Sequence, residues 1–402
     1  MAANEAPSLA APRTTTGPGP GFGVVVVMRR LYENGGVRST LRLVQQWSRA
    51  GVDVHLVALE HTRGVNAAPI PPDVLPEHPA RPGTRRRYVL ASGLWHVVRR
   101  ALRADVVVAG QHHGAGLLVA RVAASLTRRP FVTVVRSAPD LAIQRWVPPR
   151  LRAVTRAVHR SADRVVCITP GLVSAVHELG VRPERVAVAL NGVEVERIAA
   201  AGSAPPPALP SGPGALVLGV GRLEGQKGFD VLVRAHAQVV AGGQPHRLLI
   251  LGEGPDRAAL EALAAELGVS GSVHLPGFAD DPLPTMAAAD LYCLPSRYEG
   301  FGQSLAEAMI LGTPTVAADC VSGPRLLLAD GAHGDLVPVD DVDALAAAIA
   351  AHLRDPDRLR AAAARGRVWA VEHLSIERAA TDLLAVLADV GASRRRRGGR
   401  GA

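Results

Sequence analysis

Gly219-Val-Gly-Arg-Leu-Glu-Gly-Gln-Lys-Gly228 decides how this chain is read. An apolar, strand-like segment (215–220) leads into it, and a helical pattern follows it. Glycines at such a junction let the backbone approach a ligand closely, and a helix N-terminus favours an anion. Arg222 and Lys227 add two cations, so the stretch reads as a pyrophosphate cradle. The alternative is an ordinary strand-to-helix loop with exposed basic residues. Composition weighs against that alternative, because Lys227 is the only lysine beside 44 arginines. A compact ammonium and a planar guanidinium are not interchangeable. A chain that uses arginine everywhere else keeps lysine here for a specific task. A dinucleotide-binding fingerprint fails, because its third glycine would fall on Glu224.

Strand and helix patterns alternate on both sides of this stretch. Before it, strands are expected at 22–30, 52–59, 106–110, 131–136 and 164–169. After it, they are expected at 215–220, 247–252, 272–275, 291–294, 315–318 and 335–339. Apolar strands alternating with helices imply parallel sheets covered on both faces. The chain is 402 residues long, which suits two domains. The Pro/Gly-dense run Ala204-Pro-Pro-Pro-Ala-Leu-Pro-Ser-Gly-Pro-Gly214 marks the joint. The expected order is a disordered leader (1–20), a Rossmann-like domain (21–195), a linker (196–214), a second Rossmann-like domain (215–374), a closing helix (375–390) packing back on the first domain, and a basic tail (391–402). The Pro- and Arg-rich segment 60–90 reads as a long mobile loop. Doubly wound units bind ligands beyond the carboxyl ends of their strands, which predicts a site in the cleft between the two.

A second motif, Glu299-Gly-Phe-Gly-Gln-Ser-Leu-Ala-Glu307, follows the 291–294 strand. Gly300 and Gly302 place Glu299 in a loop and Glu307 in the helix after it. The loop amides then point at a ligand anion, and the two carboxylates can accept hydroxyl groups. Paired carboxylates alone could equally be solvated helix charges; the Gly-Phe-Gly context makes them specific. Asn34-Gly-Gly-Val37, with Gly35 and Gly36, offers further amides after the first strand, although a double glycine at such a turn is common.

Charge is uneven. The net charge is +9, but residues 1–190 carry +15 and the remainder −6. The basic half suits an anionic membrane surface or an acidic acceptor, with Arg85-Arg86-Arg87 in the 60–90 segment as the point of contact. No nucleic acid is expected, because base-stacking aromatics are not interleaved with the basic residues. Cys167, Cys293 and Cys320 lie far apart in apolar runs and read as buried free thiols in a reducing compartment. No signal-peptide design is visible, and the apolar runs fall short of the ~20 residues of a membrane span. The expectation is a cytoplasmic protein, with peripheral attachment to the inner face of the membrane compatible with its charge. His112 and His113 end the 106–110 strand and are candidates for the acceptor side; a polar loop explains them equally well. Neither has a partner at zinc-ligand spacing. Asp280-Asp281 and Asp340-Asp341-x-Asp343 look like metal-binding acids, but the latter opens a helix, where acids are favoured anyway. No metal is assigned.

From Gly219 to about Val339 the chain resembles the donor domain of glycosyltransferase family 4, a group of retaining transferases with the two-domain α/β architecture called GT-B. The matching pieces are GVGRLEGQKGFD, LGEGPDRAALEALAAELGV, VHLPGF, LPSRYEGFGQSLAEAM and GTPTVAADCVSGPRLLL. Asn191-Gly-Val193 resembles the family's segment before the linker, and Gly35-Gly36 fits more loosely. The resemblance implies transfer of a hexose or N-acetylhexosamine from a nucleoside-diphosphate sugar to a hydroxyl of a lipid-linked, glycan or small-molecule acceptor. It implies no cofactor and no metal beyond that co-substrate. Arg222 and Lys227 would hold the diphosphate. Glu299 would meet the transferred sugar, supported by amides of Phe301, Gly302, Gln303, Ser304 and Leu305, and Glu307 would bind the ribose. Gly221, Gly252, Gly254 and Phe278 would border the nucleotide, and Gly36 would approach the diphosphate from the first domain. Two positions depart from the family. Arg136 stands where many members place a histidine near the sugar, and arginine is a poor general base. Leu326 stands where relatives with Ser-Gly-Pro carry glutamate. These departures keep open a second reading, a catalytically silent nucleotide-sugar-binding partner subunit.

Overall fold

A computed structural model describes residues 21–32, 35–62, 68–80 and 86–398. The expected leader (1–20) lies outside the described residues, as do Asn34 and Arg85. The described chain forms two α/β units, one built from Met1–Gly192 with Ile376–Ala402 and the other from Val193–Ser375.

The strands of the first unit are β1 (Gly23–Met28), β2 (Asp53–Ala58), β3 (Val106–Ala109), β4 (Phe131–Val135), β5 (Arg164–Cys167) and β6 (Val186–Val188). Its helices are α1 (Gly35–Arg49), α2 (Arg86–Ala101), α3 (Ala115–Thr127), α4 (Pro139–Trp146), α5 (Pro149–Ser161) and α6 (Val173–Glu178). The six strands are parallel in the order β2-β1-β3-β4-β5-β6. β1 reads GVVVVM and is buried at every position, as a strand covered on both faces requires.

The second unit repeats the plan. It contains α7 (Val195–Gly202), β7 (Leu216–Val220), α8 (Phe229–Ala241), β8 (Arg247–Leu251), α9 (Arg257–Glu266), β9 (Val273–Gly277), α10 (Leu283–Ala288) and β10 (Leu291–Leu294). It continues through α11 (Gln303–Leu311), β11 (Thr315–Ala318), α12 (Gly323–Leu327), β12 (Asp335–Val337), α13 (Val342–Arg354) and α14 (Pro356–His373). Its parallel sheet runs β12-β11-β10-β7-β8-β9. The winding direction reverses between β7 and β10, and ligands in such sheets bind at that switch point. The loops that leave β7 and β10 carry the two motifs.

Three segments differ from the sequence reading. Residues 196–202 of the expected linker belong to helix α7, where Gly202 lies so close to α11 that a Cβ would sit 2.2 Å from Leu311 Cδ2. Extended chain is confined to 203–214. The expected loop 60–90 is partly strapped down. Ala58 N donates to Glu77 O and Glu77 N donates to Leu56 O along β2, and His55 and Arg100 bond the Glu77 carboxylate at 2.8 Å each. Those partners come from elements far apart in sequence, so local composition hid them. The last helix, α15 (Ile376–Gly398), runs past the expected end at 390. Gly391 is no helix stop; it faces Phe22, where a Cβ would sit 3.3 Å from the ring. Trp47 Nε1 on α1 donates to Ala380 O at 2.8 Å, which docks α15 on the first unit.

Candidate functional site

In the second unit, the β7 loop makes a short 3₁₀ turn, Gly225–Lys227, before α8. Gly228 has φ +63°, and a Cβ there would lie 2.1 Å from Pro295 O. The β7 and β10 loops therefore touch through backbone, and only glycine permits it. Gln226 clasps the same junction. Its Nε2 donates to Tyr298 O at 3.0 Å, and its carbonyl accepts from Arg297 N at 2.8 Å.

The clasp brings Lys227 to Glu299. Lys227 Nζ donates to Glu299 Oε1 at 2.6 Å, and Ser296 Oγ donates to the same oxygen at 2.8 Å. Both side chains are largely buried, 18% and 9% exposed. A partly desolvated ion pair is costly unless its geometry is good and its remaining valences are met. Two charges 72 residues apart in sequence are thus held at one point of the switch region. Arg222 is placed differently, with its side chain 58% exposed and paired to Glu224 at 2.6 Å.

Glu299 is carried on a built loop. Gly302 caps α11 with φ +88°. Phe301 and Leu305 are buried and anchor the loop, while Ser304 Oγ accepts from the buried Tyr292 hydroxyl at 2.7 Å. The leading amides of α11 point out of its N-terminus, where helix geometry supplies no carbonyl partner, so they suit an anion. Glu307 sits one turn on, half-buried. The Ser-Gly-Pro motif supports the loop from behind. Ser322 Oγ donates to Gly300 O at 2.5 Å, and a Cβ on Gly323 would lie 1.8 Å from Phe301 O. Gly252 and Gly254 have the same function at the β8 loop, where Cβ atoms would lie 1.8 Å from Gly221 O and 2.3 Å from Leu223 O. Phe278 follows β9 and is exposed.

Sequence reading missed Tyr292, Ser296 and Arg297. Arg297 bonds Asp230 through both Nη atoms, at 3.0 and 2.8 Å, and Asp340 through Nε at 2.7 Å. Burial alone would raise the Asp230 carboxyl, but the Arg297 hydrogen bonds outweigh it and hold the group below its usual range. The spacing of Arg297 from Glu299 was the one available signal. Of the acids weighed as metal ligands, Asp340 pairs with Arg297, and Asp341 caps α13 by accepting from Ala344 N at 2.8 Å.

In the first unit, Arg136 follows β4. Its Nη1 donates to Ser39 Oγ at 3.1 Å and to Asn191 Oδ1 at 3.4 Å. Ser39 lies in the early turns of α1, the helix opened by Gly35 and Gly36. Among the described residues no carboxylate pairs with Arg136, and burial pushes its pKa down to about 10. His112 is buried. Its Nδ1 faces Arg136 N at 3.5 Å, its Nε2 faces Ser137 Oγ at 3.3 Å, and its carbonyl meets His159 Nε2 at 2.8 Å. Burial first, then the nearby His113, His159 and Arg136 charges, hold His112 well below the usual imidazole range. It is a neutral ring fixing the β4 end. His113 packs edge-on against it, centroids 5.1 Å apart.

Two family descriptions fit this arrangement in chain order. Residues 33–197 match the model of Glycosyltransferase Family 4, and residues 207–369 match that of Glycosyl transferases group 1. The chain has the GT-B fold, and each of its two units matches a glycosyltransferase family model. It is 33% identical to the lipopolysaccharide core biosynthesis glycosyltransferase LpsE of Rhizobium meliloti, over 57% of this chain and 65% of that protein. It is 40% identical to the phosphatidyl-myo-inositol mannosyltransferase of Mycolicibacterium smegmatis, over 46% of this chain and 49% of that one. It thus spans about half to two thirds of the length of these relatives. Its fold is similar to that of Anabaena HepE, solved in complex with UDP, with TM-score 0.72 and 20% identity over 92% of this chain and 99% of that one. No described helix is long and apolar enough to cross a membrane.

Proposed function

We propose that the protein transfers a hexose or N-acetylhexosamine from a nucleoside-diphosphate sugar to an acceptor hydroxyl, with retention of anomeric configuration. The observation that carries this is the Lys227–Glu299 pair, held at the β7/β10 switch point beside the N-terminus of α11. Lys227 and Arg222 take the diphosphate charge. Glu299 meets the transferred sugar, and Glu307 the ribose. The bond from the anomeric carbon to the phosphate oxygen breaks with its electron pair going to the diphosphate. The acceptor oxygen bonds to the same carbon, and its proton passes to the departing phosphate. Charge builds on the leaving group, so preorganised cations and amides supply the main stabilisation. An ammonium that leaves Glu299 for a phosphate oxygen hands that carboxylate to the sugar hydroxyls, so one movement readies both groups. The proposed reaction uses no cofactor besides the nucleotide sugar.

UDP complexes of HepE and the mannosyl transfer named for the mycobacterial relative support this class of donor. The relative that acts on phosphatidyl-myo-inositol, together with the +15 charge of residues 1–190, favours an acceptor at an anionic membrane surface. The test incubates the protein with UDP-, GDP- and dTDP-sugars plus acceptor extracts and measures free nucleotide. Turnover with one donor is expected, together with a raised melting temperature in that donor alone. A shift in melting temperature without turnover would establish the silent binding subunit that Arg136 and Leu326 suggest. Neither shift nor turnover would refute both readings.

A further inference from the structure

The strand order of the first sheet reverses between β1 and β3, and ligands of such sheets bind outside the carboxyl ends of the strands there. Arg29 and Arg30 follow β1, and both pair with Glu60, which follows β2. His112 follows β3, and Arg136 and Ser137 follow β4. Arg136 is the cation that no described carboxylate meets.

The donors of Arg136 are divided. Nη1 serves Ser39 Oγ and Asn191 Oδ1. Nε is buried without a hydrogen-bond partner, although the residue as a whole keeps some exposure. Arg30, Arg129, Arg164 and Arg247 also bury an Nε without a partner. Each of those four commits its Nη2, to Glu60, Leu102 O, Asp389 and Gly214 O in turn. Among the described residues, nothing accepts from Nη2 of Arg136. The Nε and Nη2 hydrogens point the same way, and that edge of a guanidinium matches two oxygens of a carboxylate or a phosphate.

Ser137 adds a third donor. Burial above all keeps His112 neutral. Its Nδ1 accepts from Arg136 N at 3.5 Å, so its proton sits on Nε2, which donates to Ser137 Oγ at 3.3 Å. The hydroxyl hydrogen of Ser137 is then available to a ligand beside the arginine.

We propose that Arg136 and Ser137 form a subsite for an anionic group that a substrate carries in addition to the donor diphosphate. The group is a carboxylate or a phosphate, borne by the transferred sugar or by the acceptor. The inference rests on the proposed transfer reaction, in which Lys227 and Arg222 take the diphosphate, and it narrows the substrates to a set with one acidic member. A wholly neutral sugar and acceptor would leave the Nε–Nη2 edge without a partner.

The full chain is titrated by calorimetry with donors that differ only in one anionic group, UDP-glucose against UDP-glucuronate and GDP-mannose against GDP-mannuronate. The protein loaded with UDP or GDP is then titrated with glucose and with glucose 6-phosphate. Tighter binding of an acidic donor puts the anion on the transferred sugar, and tighter binding of glucose 6-phosphate puts it on the acceptor. In whichever arm responds, the preference should be about 10–100-fold, the worth of charge-assisted hydrogen bonds, and Arg136→Gln should abolish it. Arg136→Lys should recover only part of it, because an ammonium lacks the fork. Ser137→Ala, which leaves the arginine in place, should reduce the preference without abolishing it, and it keeps the test open should Arg136→Gln not fold. Equal affinity within every pair would overturn the inference, as would an Arg136→Gln variant that keeps the preference. So would a large loss of affinity for UDP or GDP alone in Arg136→Gln, since the arginine would then serve the diphosphate. None of these outcomes touches the transfer reading, which fails only if no nucleotide sugar is bound or turned over.

Discussion

Each unit holds one notable cation at the carboxyl end of its sheet, and the two are held in opposite ways. Lys227 in the second unit faces a carboxylate, Glu299, at 2.6 Å. Arg136 in the first unit faces, among the described residues, the neutral oxygens of Ser39 and Asn191. The first pair is balanced, and either member can be released to a ligand that offers a better partner. The second cation has no counter-charge among the described residues, so it gains from any anion that reaches it. The glycines of the motif loops differ as well. Those of the second unit seal backbone against backbone at Gly228, Gly252 and Gly323, whereas Gly35 in the first unit has nothing within 4 Å of its missing Cβ. One site is a closed cradle with a balanced charge, and the other a buried cation held by neutral partners.

Removing Lys227 should break this comparison most severely. Lys227→Ala is expected to lower kcat/KM about 10²–10³-fold in a nucleotide-release assay, the cost of one preorganised donor to a charge that develops in the transition state. Lys227→Arg should not restore it, because the guanidinium fork does not fit the ammonium position beside Ser296. Activity of Lys227→Ala within threefold of the parent would remove the diphosphate assignment.

Acid should weaken both cores. Burial pushes His159 down to about 4 in the first unit and His236 down to about 3 in the second. Each binds its proton more readily when unfolded, near the ordinary imidazole value. Their contribution is therefore present above about pH 6.5 and lost as pH falls, levelling off near 4 for His159. For His159 the loss amounts to about 3 kcal/mol. Melting curves at stepwise lower pH test this. His159→Gln, whose amide can still donate to His112 O, should flatten the upper part of the profile. An unchanged slope would mean that His159 is not the group titrating.

The fold was legible because its strands are short, mostly apolar and evenly interrupted, a pattern that covered parallel sheets satisfy. β1 through β5 and all six strands of the second unit answer to expected segments. Edge strand β6 did not: Val186–Val188 is apolar but only three residues long and partly exposed. At the site, glycines announced the loops, and charges near them announced Lys227 and Glu299. What stayed hidden was whatever distant residues supply: Tyr292 beneath Ser304, Ser322 and Gly323 behind Phe301, and Arg297 bridging Asp230 and Asp340. Each acts by contact across the sheet's end, and no spacing rule along the chain encodes such a contact. The His112–Arg136 proximity was hidden for the same reason, because it joins neighbouring strands β3 and β4.

The glycine contrast predicts a middle-sized effect. Gly323→Ala must move Phe301 O, because its Cβ would arrive at 1.8 Å from backbone that cannot yield like a side-chain tip. A destabilisation of about 1–3 kcal/mol is expected, with a raised KM for donor as the Glu299 loop shifts. Gly35→Ala should fall within about 0.5 kcal/mol of the parent, as surface changes away from special geometry do. Thermal melts of the two variants side by side are sufficient, and equal losses would mean that the first unit's glycine pair is as constrained as the second's.

The smallest effect, and the sharpest test of the contrast, concerns Arg136. Removing one partner of a buried ion pair strands the other charge, which is why Lys227→Met should cost stability by leaving Glu299 without its cation. Arg136→Met strands nothing. Ser39 Oγ already donates to Asn191 Oδ1, so both neutral partners keep each other. The arginine's own desolvation cost disappears with it, and a methionine of similar length can follow the same path between α1 and the sheet. The expected stability change is therefore within about 1 kcal/mol of zero, of either sign. Catalysis should respond differently, with turnover reduced while the melting temperature holds, because the lost charge has work only when a substrate anion is present. A large drop in melting temperature with Arg136→Met would show that the cation is structural, and the asymmetry between the two units would then lie in packing and not in charge.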